Sequence, residues 1–245
     1  MQSSNPALSV VTRQAGQINF GGEEAAATLS GTTTKSILLV AITLVAGYFS
    51  MQYSAAQIYS GSVPTMLMGG SIIGAFIVAL VTIFNPKISP ITAPLYAVLE
   101  GVGLGVLSMV MELKYPGIVS TAVLSTFAVV MAMLILWKTR LIVPTARFRA
   151  VITGAIGGIC LLYIVNMLFS LFGGSLLPSS GPVAIGISLI VCTVAALSLV
   201  LDFDGIEQSV NAGLPKYFEY FNAFSLLVTI CWLYVEILKL LANRE

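Results

Sequence analysis

Apolar residues run through this chain in seven long blocks, separated by short breaks that carry glycine, proline or charge. A bilayer core about 30 Å thick asks for about 20 mainly apolar residues per helix. The pattern predicts spans at about 35–51, 65–84, 92–111, 117–137, 150–172, 182–201 and 221–241. The breaks fall at 61–64, 85–90, 115–117, 144, 173–182 and 213–215, each with a proline or glycine where backbone leaves a helix. Each block is about twice as long as a tilted barrel strand requires, and none alternates with period two. The expected fold class is all-α, a polytopic membrane protein with seven transmembrane helices over residues 35–241. Residues 1–34 read as a flexible polar tail rich in Ser, Thr, Gly, Ala and Gln, with a short helix around 23–29. Residues 242–245 form a short C-terminal tail. No charged start with a cleavage site precedes the first span, which is expected to act as an uncleaved signal.

Composition narrows the chemistry. The chain of 245 residues is 58% hydrophobic and only 9% charged, against roughly 25% charged in a soluble domain. A net charge of +1 removes a strongly basic nucleic-acid surface. Histidine is absent, which rules out a Ser-His-Asp triad, a Cys-His pair and a His-ligated metal. Cys160, Cys192 and Cys231 lie in separate apolar runs without CxxC spacing and read as small buried side chains. No cofactor is implied, and no metal ligand set can be named.

Lys and Arg divide unevenly between the two sides of the predicted membrane. Arg13, Lys35, Lys87, Lys138, Arg140, Arg147, Arg149 and Lys216 share one side; Lys114, Lys239 and Arg244 share the other. The positive-inside rule then predicts a cytoplasmic N-terminus and an external C-terminus. The loop after the fourth span supplies Lys138, Arg140, Arg147 and Arg149, interleaved with Trp137, Leu141, Ile142 and Phe148. It reads either as a topology signal alone or as a segment lying on the inner leaflet beside anionic headgroups. Glycines at four-residue spacing (Gly70 and Gly74, Gly101 and Gly105, Gly154 and Gly158) read as close-packing positions without chemistry.

Polar side chains inside apolar runs are costly and ask for a reason. Glu100 sits mid-span beside Gly101, Gly103 and Gly105. It reads as a protonatable group lining a cavity, or as a neutral acid bonded to a neighbouring helix. In the seventh span Asn222, Ser225, Thr229, Trp232 and Glu236 follow at steps of 3, 4, 3 and 4, one stripe of a helix. Such a stripe belongs inside a bundle, as a hydrogen-bonded seam or as a water path. Glu236 is expected to reach the outer interface or to meet Lys239. The sixth span carries a matching line of Ser188, Cys192, Ala195, Ser198 and Asp202. Asp202 is expected at the cytoplasmic mouth, facing the bundle and responding to cytoplasmic pH. Asp204 and Glu207 share another face and are expected to be solvated.

The segment Asp202-Phe203-Asp204-Gly205-Ile206-Glu207-Gln208, then Pro215-Lys216-Tyr217-Phe218-Glu219 and a final apolar helix, resembles the Bax inhibitor family. It is more narrowly similar to the bacterial YccA-type branch, and Glu100-Gly101 with Leu104-Gly105 fits that family's glycine-rich segment. The resemblance implies a central seventh helix wrapped by the other six, in a bacterial plasma membrane. It implies a pH-sensitive calcium or other cation leak that relies on paired aspartates from the sixth and seventh helices. Asp202 matches the sixth-helix member, fifteen residues before Tyr217. The matching stretch of the seventh helix, 222–227, holds no carboxylate, so Asn222 or Ser225 would be the hydrogen-bond partner. The alternative is a regulator that transports nothing and binds other membrane proteins, such as membrane protease machinery. An enzyme is not expected. Glu100 and Asp202, the one imaginable acid pair, are placed about half a bilayer apart.

Overall fold

The computed structural model describes residues 26–62, 64–174, 176–178 and 181–244. The tail before residue 26, with the first three residues of the helix expected at 23–29, lies outside the described residues; of the rest, Ala26 bridges to Pro215, Ala27 and Thr28 are not helical, and the helix begins only at Leu29. Seven helices are long and apolar enough to cross a membrane. They are α1 (Leu29–Tyr59), α2 (Thr65–Phe84), α3 (Ser89–Lys114), α4 (Ile118–Lys138), α5 (Ala146–Leu171), α6 (Pro182–Asn211) and α7 (Phe218–Ala242), with a 3-10 turn at Pro86–Ile88 before α3.

Local chemistry sets their ends. Thr28 caps α1 by accepting from the Gly31 amide at 2.9 Å, and Thr145 caps α5 through the Phe148 amide at 3.2 Å. Gly117, with φ 87°, turns the chain into α4. The Glu112 carboxylate there accepts from the amides of Gly117 (2.6 Å) and Val119 (3.0 Å), so α3 supplies the cap that α4 lacks.

Two helices outrun the hydropathy pattern. α1 begins at Leu29 because its N-terminal strand of chain is held down, the Ala27 amide donating to the Leu214 carbonyl at 2.7 Å. α6 continues to Asn211, ten residues past the predicted end. Asp202 therefore lies nine residues inside the helix, not at its mouth. Asp204 is also not solvated: it is 8% exposed, ion-paired with Arg149 and bonded to Gln208, while Glu207 meets Arg140 at 3.1 Å. Those cations neutralise Asp204 and Glu207, so the helix continues past them.

The ends of α1, α3, α5 and α7 that come first in sequence lie together with the last turns of α4 and α6. Lys35–Glu219, Arg149–Asp204, Arg140–Glu207 and the Ser89 hydroxyl on the Tyr217 carbonyl (2.9 Å) hold this near face. The opposite, far face joins the end of α7 to the start of α6, where the Asn243 amide donates to the Ser188 hydroxyl at 3.0 Å.

No residue of α7 is exposed. Leu227, Leu233 and Leu238 are almost wholly buried, in two clusters that meet on this helix. One cluster joins Leu39, Ala93, Ala97 and Phe224; the other joins Ala122, Leu199, Val200 and Leu233. The seventh helix is central, but its main neighbours are α1, α3, α4 and α6 rather than all six. α2 packs on α3, and α5 packs on α6.

The glycine pairs separate by role. Cβ atoms at Gly101 and Gly105 would overlap the Thr43 and Gly47 carbonyls of α1, so these two let the backbones of α1 and α3 touch. Thr43 and Ser50 use that proximity, donating to the Ala97 (3.2 Å) and Val102 (2.8 Å) carbonyls. Gly70, Gly154 and Gly158 have nothing within 4 Å of a built Cβ, and so close no helix pair within the chain.

Candidate functional site

The stripe on α7 faces inward, toward α6 and α5. At its near end Asn222 is 8% exposed and accepts from the Ser209 hydroxyl at 3.4 Å, while its amide nitrogen is buried without a partner. One turn deeper, the Ser225 hydroxyl donates to Asp202 Oδ1 at 2.8 Å. The second carboxylate oxygen of Asp202 is buried with no hydrogen-bond partner. Thr229 stands beside it, its hydroxyl donating to the Ser225 carbonyl at 3.4 Å. The stripe thus meets the α6 line as the periodicity predicts: Ser188, Cys192, Ala195 and Ser198 are all buried on the same face of α6. Ser225, not Asn222, is the partner of Asp202, and it donates rather than accepts.

Between Thr229 and Glu236 the contact of α6 with α7 is apolar: Ala195, Leu199 and Leu233 are buried in one cluster, with Trp232 packed against it. Beyond it Glu236 is 1% exposed. Its Oε1 accepts from the Tyr163 hydroxyl at 3.0 Å and from the Lys239 ammonium at 2.9 Å. Its Oε2 is buried and unpartnered. Of the two outcomes expected for Glu236, the meeting with Lys239 is the one observed.

Glu100 lies on the other side of α7. Its nearest chemistry is the Tyr96 phenol, one turn back on α3, and the Cys231 thiol of α7. Counted by helix rise, Glu100 is eleven residues into α3 and Asp202 nine from the end of α6. Both therefore lie roughly 13–17 Å from the near face. They are level in depth, which corrects the expected half-bilayer offset, and α7 stands between them.

The near face holds residues that the polar pattern left out. Glu219 is 2% exposed; it is ion-paired with Lys35 and accepts from the amide and hydroxyl of Thr28, both at 2.9 Å. Gly31 leaves room for that carboxylate, which a Cβ there would displace. Of the basic loop, Arg140 and Arg149 are taken up by Glu207 and Asp204, whereas Lys138 and Arg147 stay exposed. Arg140 sits at φ 58° and also stacks on Trp137 at 5.7 Å. Among the described residues no cluster of three or more acidic or thiol side chains could hold a metal ion.

A bundle of seven membrane-crossing helices, closed around a last helix with carboxylates at two depths, defines a class of integral membrane protein. The family model described as Bax inhibitor 1 like matches residues 5–245, and the chain belongs to that family. No curated protein and no solved structure matches it.

Proposed function

We propose that this protein is a pH-sensitive cation leak, calcium being the first ion to test, with the α6–α7 seam as its path. The single observation that supports this reading is Asp202. It is enclosed nine residues before the near end of α6, with one oxygen held by Ser225 and the other without a partner. A carboxyl so placed gains or loses a full charge when it exchanges one proton, and nothing around it carries a compensating cation. Its proton therefore changes what the seam stabilises. Calcium favours 6–8 oxygen ligands; Asp202, Ser225 and Thr229 supply fewer, which fits a weak passage site. No chemistry of bond breaking is assigned. The chain is read as a member of the bacterial YccA-type branch in the inner membrane, with the near face cytoplasmic and the far face outside. The excess of Lys and Arg at the near face supports that orientation.

Purified protein in liposomes loaded with a calcium dye and stepped through pH tests this. The parent should leak in a pH-dependent manner, and Asp202→Asn should give a flux that no longer changes with pH. An unchanged pH profile in Asp202→Asn removes the residue from its role. A parent that passes no ion at any pH overturns conduction. It would favour a regulator binding other membrane proteins through the exposed near-face Lys138, Leu141 and Arg147.

A further inference from the structure

On the side of α7 away from α6, a recess of about 250 Å³ lies in the far half of the bundle. Its floor is α3 and α7, with Leu104, Ser108, Ile230 and Tyr234; its walls are α1 and α4, with Leu44, Tyr48, Val123 and Phe127. α1 packs on α3 and α7, and α4 packs on α6 and α7, so these two helices flank the recess and its mouth lies between them. Leu44, Tyr48 and Phe127, all on the walls, are exposed, whereas Ser108 and Tyr234 on the floor are buried. Each of these residues belongs to a membrane-crossing helix, so the mouth opens sideways at bilayer depth. Gly47 and Gly105 border the recess and have no side chain with which to fill it.

No charged side chain lines this space. Its inner hydroxyls are already engaged. Thr43 donates to the Leu39 and Ala97 carbonyls (3.0 and 3.2 Å), Thr126 to the Ala122 carbonyl (2.7 Å) and Ser108 to the Leu104 carbonyl (2.6 Å). The Tyr234 phenol is left to donate to Ser108, at 2.7 Å. An ion would find no counter-charge there, and a peptide would find no partners for its amides. Left empty, the lining forfeits dispersion contacts, and an apolar cavity of only about 150 Å³ already binds benzene.

We infer that the recess between α1 and α4 is a binding site for one acyl chain of a membrane lipid, which enters sideways and lies against α7. The medium at the mouth is hydrocarbon, the lining is apolar, and a chain brings no polar group that must be satisfied. Filling of the void drives the binding, because a lipid tail is already in an apolar medium before it enters. The bound chain stands in for a direct contact of α1 with α4. The site does not depend on the conduction reading above.

The probe is phosphatidylcholine with a photoactivatable diazirine in one tail, in nanodiscs holding the full chain. After irradiation, mass spectrometry of the digest should find adducts on Leu104 and Ile230 of the floor, and also on Leu161, an exposed residue of α5 that reports ordinary surrounding lipid. Val123→Phe puts a ring into the recess, and Leu44→Trp narrows its mouth. Each should lower the floor adducts roughly tenfold, an occupancy difference of about 1.4 kcal/mol, with Leu161 labelled as in the parent. Should Val123→Phe fail to fold, Leu44→Trp, altered on the exposed rim, carries the test by itself. Floor residues unlabelled in the parent while Leu161 is labelled overturn the site. So do floor adducts equal in the parent and the folded variants.

Discussion

Glu219 and Asp202 are both carboxylates enclosed by the bundle, and the difference between them lies in their partners. Glu219 has a full set, with Lys35 and two donors from Thr28, and it ties the start of α1 to the start of α7. Asp202 has one donor and an unused oxygen. The first arrangement locks a helix junction, and the second leaves a group whose proton can matter. Lys35→Met should therefore destabilise the protein by about 3–5 kcal/mol, the cost of leaving one member of a buried pair behind. Reversible unfolding in detergent micelles would measure it. Lys35→Met combined with Glu219→Gln should recover most of the loss; if the double variant is as unstable as the single, the ion pair is not what holds α1.

Among the helices, tightness is concentrated at the α1–α3 contact. Gly105→Ala drives a methyl into the Gly47 carbonyl and to within 2.8 Å of the Ser50 Cβ. Overpacking of this kind costs roughly 1–3 kcal/mol, and a thermal melt should fall accordingly. Gly154→Ala meets open space and should hold or raise the melting temperature, since alanine is the better helix former. Both positions belong to four-residue glycine pairs, so the sequence cannot separate them; the separation depends on which face of α5 or α3 meets a partner.

The same limit applies to helix ends. α2 has the same bounds in pattern and structure because Pro64 and the Asn85-Pro86 pair stop it on both sides. The end of α6 was illegible because Asp202, Asp204 and Glu207 look like a boundary until Arg149 and Arg140 arrive from 55 and 67 residues away. The polar stripe of α7 was readable because the helical period alone defines it. Its contact with Tyr163, 73 residues distant, carries no local signal.

Taken whole, the molecule is graded from a tightly packed axis to a loosely attached rim. α7 has no exposed residue, whereas α5 has almost none buried and is fastened by α6, by the Arg149–Asp204 pair and by Tyr163. Backbone amides of α7 should exchange with deuterated solvent last and those of α5 well before them, measured in detergent micelles by mass spectrometry. Equal protection of the two helices would contradict the graded packing.

The two buried clusters draw their fully enclosed members from α1, α2 and α3 on one side and α4 and α6 on the other, and both also need α7. That helix follows the other six in chain order. Until it threads between them, the earlier helices form two partial assemblies with a vacant seam, so the core cannot close before α7 has been made.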